Sequence, residues 1–229
     1  MNNKLLHTLS MLLLAMVAFT FTACGLFDLD EMDDFNGHKY VDLGLSVKWA
    51  TCNVGADFPE DYGDYFAWGE TEPKSTYNWS TYKWIDGDFD SDDLTKYCTT
   101  SAYGTVDNKT QLDLSDDAAR ANWGGSWRMP THEEFTELRE KCSWTWTTHN
   151  GVNGYKVTSK TNGNSIFLPA AGFRDDSSLN RAGSRGLFWS SSLNAGYPYR
   201  AWEVCFYSGY VDWGPSGRYC GFSVRPVCP

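Results

Sequence analysis

Histidine and serine are common catalytic side chains, but their spacing in this sequence forms no catalytic motif. His38, His132 and His149 lie far apart and lack the spacing of metal ligands. Three consecutive serines, residues 190–192, follow a predicted strand, yet no glycines flank them as they would in a nucleophile elbow. The sequence therefore predicts a protein that is not an enzyme.

A run of aspartates is the densest group of potential metal ligands. Alternating carboxylates can bind Ca²⁺, as at the start of an EF-hand loop. However, Ser91 stands where such a loop needs glycine, and Tyr97 stands where it needs a bidentate glutamate. We favour a solvated acidic loop, with a calcium site as the alternative, and expect no other metal or cofactor. The run consists of Asp86, Asp88, Asp90, Asp92 and Asp93.

Charged and aromatic residues are interleaved with predicted strands between residues 174 and 220. Tyrosine and arginine supply contact area and forked hydrogen bonds at binding surfaces. In one of these strands, two-residue alternation places Glu203, Cys205 and Tyr207 toward solvent. We expect this surface to bind a protein or a glycan ligand. The predicted ligand-binding residues are Asp175, Asp176, Arg181, Arg185, Tyr197, Tyr199, Arg200, Glu203, Tyr207, Tyr210, Asp212, Trp213 and Tyr219.

Two short helices are expected to support this surface. Ser115 can cap the first, which would extend to about Asn122 because two glycines follow. Thr131 and Glu134 have the spacing of a capping box, which predicts a second helix ending near Cys142.

Short strands separated by turns account for most of the remaining chain. A hairpin is predicted over residues 40–51, and another over residues 155–168 around an Asn-Gly turn. Residues 62–68 are a plausible short strand. Further strands are predicted at residues 188–191, 201–207, 210–213 and 221–227. Five tryptophans are expected in the core, namely Trp49, Trp68, Trp127, Trp189 and Trp202.

The N-terminus has the features of an export signal. A basic start precedes an apolar run over residues 9–21, which is too short to span a bilayer. The run ends in FTAC, residues 21–24, which resembles a lipobox in which Cys24 receives the lipid. Residues 1–24 are therefore interpreted as a lipoprotein signal peptide, with an ordinary cleaved signal peptide as the alternative. The lipid would be the only contact with the membrane.

The negative charge of the chain limits the classes of partner that it can bind. Residues 25–36 contain five acids and are interpreted as a solvated tether. Acids at this place resemble the signal that sends lipoproteins of Bacteroidetes-like bacteria to the outer face of the cell. A net charge of −10 repels phosphate backbones and argues against nucleic acid as a partner.

Six cysteines follow Cys24, and an exported protein can form disulfides. Six cysteines allow about 15 connectivities, which the sequence does not rank. A bridge between Cys52 and Cys228 would join the two ends of the domain.

Four motifs carry a resemblance to a known family. They are YVDLGL at residues 40–45, WATCNVG at 49–55, WRMPT at 127–131 and SVRPV at 223–227. These motifs are similar to those of the Fibrobacter succinogenes major paralogous domain, which is common in lipoproteins of gut Bacteroidetes. The resemblance defines one domain over residues 37–229. It implies an α+β, C-type-lectin-like fold with two helices, small antiparallel sheets and long loops.

The C-terminal segment carries a second resemblance. Residues 174–220, followed by GFSVRP at 221–226, resemble the variable proteins of diversity-generating retroelements. Those proteins place a mutagenised segment on a C-type lectin fold. The resemblance implies a non-enzymatic, surface-exposed lipoprotein of the outer membrane whose ligand-binding face varies. A structural or adhesive component of a surface assembly is the first alternative, and an exported enzyme is the second.

Overall fold

The computed structural model describes residues 33–86 and 93–229. The predicted signal peptide with Cys24, most of the tether, and Asp88, Asp90 and Asp92 of the acidic run lie outside the described residues. Twelve strands lie within them: β1 (Asp34–Phe35), β2 (His38–Val41), β3 (Lys48–Ala50), β4 (Cys142–His149), β5 (Val152–Ser159), β6 (Ser165–Pro169), β7 (Phe173–Asp175), β8 (Ser178–Asn180), β9 (Arg185–Leu193), β10 (Arg200–Tyr207), β11 (Tyr210–Gly217) and β12 (Val227–Cys228). Two α-helices accompany them, α1 (Ala118–Trp123) and α2 (His132–Lys141).

These strands form small antiparallel sheets, which confirms the α+β class. The orders are β1-β2-β3-β12, β4-β5-β6, β11-β10-β9 and β7-β8. The predicted opening hairpin is present as β2 and β3, and the predicted hairpin around Asn162 and Gly163 is present as β5 and β6. Val227 pairs with Trp49, so the first sheet joins an early strand to the last one.

Helix α2 begins where its capping box predicts. The Thr131 hydroxyl accepts a hydrogen bond from the Glu134 N–H at 3.2 Å, and the Glu134 carboxylate accepts one from the Thr131 N–H at 2.8 Å. Arg128 donates two further hydrogen bonds to the same carboxylate, at 2.7 and 2.5 Å. Phe135 and Leu138 are buried on the inner face of the helix. Local sequence and tertiary packing agree here, which makes this the most predictable element.

Helix α1 begins later than predicted, and Ser115 does not cap it. Asp117 is the N-cap and accepts a hydrogen bond from the Arg120 N–H at 3.0 Å. The same buried carboxylate also accepts one from the Met129 N–H at 2.8 Å. This long-range contact fixes the helix start at Asp117, and Leu114–Asp116 form a 3₁₀ turn instead.

Strand assignments fail where pairing depends on distant residues. Residues 62–68 contribute only an isolated bridge between Phe66 and Phe222, because no continuous partner strand lies beside them. The strand expected over 221–227 is reduced to bridges and to β12. Conversely, β4 was not predicted, although Trp144 and Trp146 alternate with small polar residues as half-buried strands do.

Among the described residues, the core contains three clusters of buried side chains, the third formed by Tyr65, Ala67, Tyr77 and Tyr82 with Trp79 and Tyr219 packed against it. The first includes Trp68, Trp127 and Trp189, and the second includes Trp49, each with no exposed surface. Trp202 was expected in the core but is only half-buried. Of the six cysteines after Cys24, the structure bridges none, so the expected Cys52–Cys228 disulfide is absent.

Candidate functional site

Strands β9, β10 and β11, here called the C-terminal sheet, carry many of the predicted ligand-binding residues. β10 lies in the middle and pairs with β11 along its whole length, from Arg200 to Tyr207. Its other edge pairs with β9, where a register shift between Ala201 and Glu203 interrupts the ladder. Among the described residues, β11 is an edge strand of the sheet.

The predictions that Glu203 and Cys205 point into solvent are wrong. Glu203 is 6% exposed, and Cys205 is half-buried against the first core cluster. Only Tyr207 of the three is exposed, at 40%. Two-residue alternation predicts exposure when one face of a strand is open, but β10 is covered on both faces. Val204 and Phe206 pack into the second cluster on its other face.

An aromatic cleft of about 390 Å³ opens at the end of β10 and β11 where Arg200 pairs with Gly217. Here the name aromatic cleft refers to the space lined by Trp79, Tyr199, Arg200, residues 215–217 and Tyr219. The sequence predicted three of these residues, Tyr199, Arg200 and Tyr219. The structure adds Trp79, whose ring centre lies 5.0 Å from that of Tyr219.

The aromatic walls of the cleft are held by further rings. Tyr199 contacts Tyr103 with ring centres 5.1 Å apart, and the Arg200 guanidinium lies 5.3 Å from the centre of the Tyr199 ring. Trp79 packs edge-on against Tyr82 at 5.5 Å. Because these contacts fix ring orientation before any ligand arrives, binding would cost little side-chain entropy.

A buried arginine lies between two lining residues in sequence, Gly217 and Tyr219. Arg218 has no exposed surface. It donates to the Tyr82 hydroxyl at 2.7 Å and to the carbonyl oxygens of Lys96, Tyr97 and Pro198 at 3.0 to 3.2 Å. These bonds tie the Trp79 wall, through Tyr82, to the β11 end of the cleft.

Two predicted acids lie close to the Tyr219 side of the cleft. Asp175 ends β7, and Asp176 follows it with a positive φ of 48°. The Asp176 carboxylate accepts a hydrogen bond from the Asn78 side-chain amide at 2.8 Å, next to Trp79. Burial, then the Cys220 thiol and the Asp175 carboxylate, raise the pKa of Tyr219 to about 12. The hydroxyl of Tyr219 is therefore protonated at neutral pH.

Glu203 lies behind the cleft rather than on its surface. The Ser216 hydroxyl, which lines the cleft, donates to one Glu203 carboxyl oxygen at 3.3 Å. The other carboxyl oxygen is buried without a hydrogen-bond partner. Burial raises the pKa of this carboxyl to about 8, so it is mostly protonated at neutral pH.

A separate patch, here called the hairpin tip, is formed by Tyr207, Tyr210 and Arg185. The two tyrosine rings stack at 4.7 Å with an angle of 11° between their planes. The Arg185 guanidinium lies 5.4 Å from the centre of the Tyr207 ring. Both tyrosines are about 40% exposed, so this patch offers a flat aromatic surface.

The side chains of Asp212 and Trp213 are in contact with side chains of helix α2. Arg139 forms an ion pair with Asp212 at 3.2 Å and lies 4.5 Å from the centre of the Trp213 ring. His132 stacks on Trp202 at 4.7 Å and packs edge-on against Trp213 at 5.4 Å. The intramolecular contacts give these two predicted site residues a role in joining β11 to α2.

Arg181 and Tyr197, the remaining predicted residues, lie in exposed turns. Arg181 has a positive φ of 60°, and Tyr197 is 53% exposed. The Tyr197 ring packs edge-on against the Tyr199 ring of the cleft, with ring centres 6.0 Å apart. The structure thus divides the predicted set among the cleft and its neighbours, the hairpin tip, the α2 contact and the turn at Arg181. Sequence reasoning missed Trp79 because its loop carried no recognisable motif.

Comparison with known proteins identifies no relative: no family model, curated protein or solved structure matches this chain. No helix within residues 33–86 and 93–229 is long and apolar enough to cross a membrane. In the same residues, no three His, Cys, Asp or Glu side chains are grouped to hold a metal ion. Asp86 and Asp93, the described ends of the acidic run, are joined by a backbone hydrogen bond of 2.9 Å.

The three consecutive serines have structural roles in β9. The Ser190 hydroxyl donates to the Trp202 carbonyl at 2.7 Å, and the Ser191 hydroxyl donates to the Pro130 carbonyl at 3.1 Å. The Ser192 hydroxyl accepts from the His132 N–H at 3.1 Å. These hydroxyls connect β9 to β10 and to the start of α2.

Proposed function

We propose that this chain is a non-enzymatic binding protein that recognises a protein or glycan ligand through its C-terminal sheet and the adjoining loops. The observation that carries the proposal is the aromatic cleft, which brings together Tyr199, Arg200 and Tyr219 with Trp79. Its volume of about 390 Å³ lies in the range of small-ligand sites. Its aromatic and arginine side chains are the types that contribute most to binding energy.

The wider identity of the protein belongs to the same proposal. We infer a C-type-lectin-like fold of the Fibrobacter major paralogous domain type, held at the outer membrane by lipid on Cys24 and exposed at the cell surface. The arrangement of two helices and small antiparallel sheets supports this fold. The exposure of Tyr197, Tyr207 and Tyr210 supports a variable binding face of the retroelement type.

Two double variants test the binding surface. In Y199A/Y219A the cleft loses two walls, and in Y207A/Y210A the hairpin tip loses both rings. We expect one of the two to weaken ligand binding at least about 30-fold, since each aromatic anchor contributes up to several kcal/mol. The measurement is saturation binding of the detergent-solubilised full chain to an array of surface glycans and extracellular proteins.

Phe58→Ala is the matched control for this experiment. Phe58 is 56% exposed and lies outside both patches. Its replacement should leave every affinity unchanged. If both double variants fold and bind as the wild type does, the C-terminal surface is not the binding site and the proposal fails.

The anchor is tested at Cys24. Metabolic labelling with an alkyne fatty acid should label the wild-type chain and leave Cys24→Ser unlabelled, because only the thiol can accept the diacylglycerol. The variant should also move from the membrane fraction to the soluble fraction if the lipid is the sole anchor. Cys52→Ser serves as the control, because Cys52 is buried in the folded domain. Equal labelling of wild type and Cys24→Ser would exclude lipidation at this residue.

A further inference from the structure

The aromatic cleft has the chemistry of a site for a saccharide that carries a carboxylate. We propose that it binds a carboxylated pyranose, such as a uronic or sialic acid residue, with the sugar ring against Trp79 or Tyr199 and the carboxylate on Arg200. This inference rests on the proposed binding function and specifies its ligand class. It follows from the shape, ring arrangement and free charge of the cleft.

The walls of the cleft suit a ring with apolar faces and polar edges. Trp79 and Tyr219 meet at an angle of 59°, which leaves a corner rather than a flat surface. A pyranose presents C–H groups on its faces and hydroxyls around its edge, so it can stack on one wall while its hydroxyls reach the other. The Ser216 hydroxyl, which donates its proton to Glu203, can accept a hydrogen bond from a ligand, and the Tyr219 hydroxyl can donate or accept one.

The floor of the cleft depends on a glycine. A Cβ added at Gly217 would lie 2.8 Å from the Tyr219 ring, so the ring lies against the backbone only because Gly217 has no side chain. This close approach holds the Tyr219 ring beside β11, where it contacts the Trp79 ring with ring centres 5.0 Å apart. A side chain at position 217 would therefore displace the Tyr219 ring and change the volume of the cleft.

Arg200 selects for an anion. It is exposed, and among the described residues no carboxylate lies within ion-pair distance of its guanidinium, which forms a cation–π contact with the Tyr199 ring. In a chain with a net charge of −10, an arginine that lines a cleft without a carboxylate partner is available to a ligand. The planar guanidinium matches a carboxylate with two parallel hydrogen bonds.

Other charges near the cleft are compatible with this orientation. Asp175 and Asp176 lie near Tyr219, and the Asp176 carboxylate accepts a hydrogen bond from Asn78. These acids do not line the cleft, but their charge would repel a carboxylate at the Tyr219 end. The ligand is thereby oriented with its carboxylate toward Arg200.

A saccharide fits the cleft better than a folded protein does. Stable protein interfaces bury about 800 Å² on each partner, which requires a broad surface rather than a cleft of this size. A single sugar residue with its neighbours can fill 390 Å³ and leave the rest of the chain in solvent.

The test uses matched saccharide pairs on the detergent-solubilised full chain. The probes are sialyllactose and an oligogalacturonate, each compared with its carboxyl-reduced form by titration calorimetry. We expect at least one acidic probe to bind at least about tenfold more tightly than its reduced form. Arg200→Gln should weaken acidic-probe binding about 10- to 100-fold without changing binding of the reduced form. Trp79→Ala should weaken both.

Lys160→Gln is the matched control, because Lys160 is an exposed cation outside the cleft and outside the predicted ligand-binding residues. It should bind as the wild type does. The inference is overturned if no acidic probe binds, if the reduced forms bind equally well, or if Arg200→Gln has no effect. If acidic saccharides fail while the cleft double variant still loses a protein ligand on the array, the proposed binding function survives and only the saccharide assignment is lost.

Discussion

Replacing Arg218 with methionine is expected to lower the free energy of unfolding by about 3 to 5 kcal/mol. The guanidinium is fully buried and makes four hydrogen bonds, one to the Tyr82 hydroxyl and three to backbone carbonyls. Methionine fills much of the volume but leaves these buried acceptors without donors, and each such loss costs about 1 to 3 kcal/mol before relaxation. The protein should also lose the cation–π contact with the Trp68 ring.

The experiment is equilibrium unfolding in denaturant, followed by tryptophan fluorescence. Arg218→Lys should be nearly as unstable, because an ammonium cannot reproduce the planar fork that reaches all four acceptors. Arg181→Met is the control and should unfold as the wild type does, because Arg181 is exposed in a turn. A fully stable Arg218→Met variant would mean that the buried acceptors are not held in place by this side chain.

The case of Arg218 shows which parts of the fold the sequence could predict. Helix α2 was predicted correctly because Thr131 and Glu134 interact within one turn and need no distant partner. The sequence offers no local sign that Arg218 is buried, since its acceptors come from residues far away in the chain. The predicted start of helix α1 was wrong for the same reason. The contact of Asp117 with Met129 overrides the local preference for Ser115 as the N-cap.

The candidate site was predicted in part. Residue type was enough to identify Tyr199, Arg200 and Tyr219, since exposed aromatics and arginines are typical of binding surfaces. Trp79 was missed because nothing in the sequence brings its loop next to Tyr219. Glu203 was misplaced because alternation specifies which face of a strand a residue occupies, but not whether that face is covered.

The burial of Glu203 predicts a pH dependence of stability. Its folded pKa is about 8, raised mainly by burial, whereas a glutamate in an unfolded chain has a pKa of about 4.3. Between these values the unfolded state has released the proton and the folded state still holds it. The contribution of Glu203 to the free energy of unfolding is therefore greatest below about pH 4.3. It falls by about 1.4 kcal/mol per pH unit as the pH rises and levels off above about pH 8. The total loss is on the order of 5 kcal/mol.

Glu203→Gln should remove this loss, because an amide stays neutral at every pH. We expect the variant to be less stable than the wild type near pH 4, where its amide N–H groups lack acceptors, and more stable by about 2 to 4 kcal/mol at pH 9. The measurement is the difference in unfolding free energy between the two proteins from pH 4 to 9.

Asp117, whose burial raises its pKa to about 6, contributes equally to both proteins and cancels in that difference. The exposed Glu72→Gln control should give a difference near zero throughout. A flat difference for Glu203→Gln would show that solvent reaches this carboxyl and that Glu203 is charged at neutral pH.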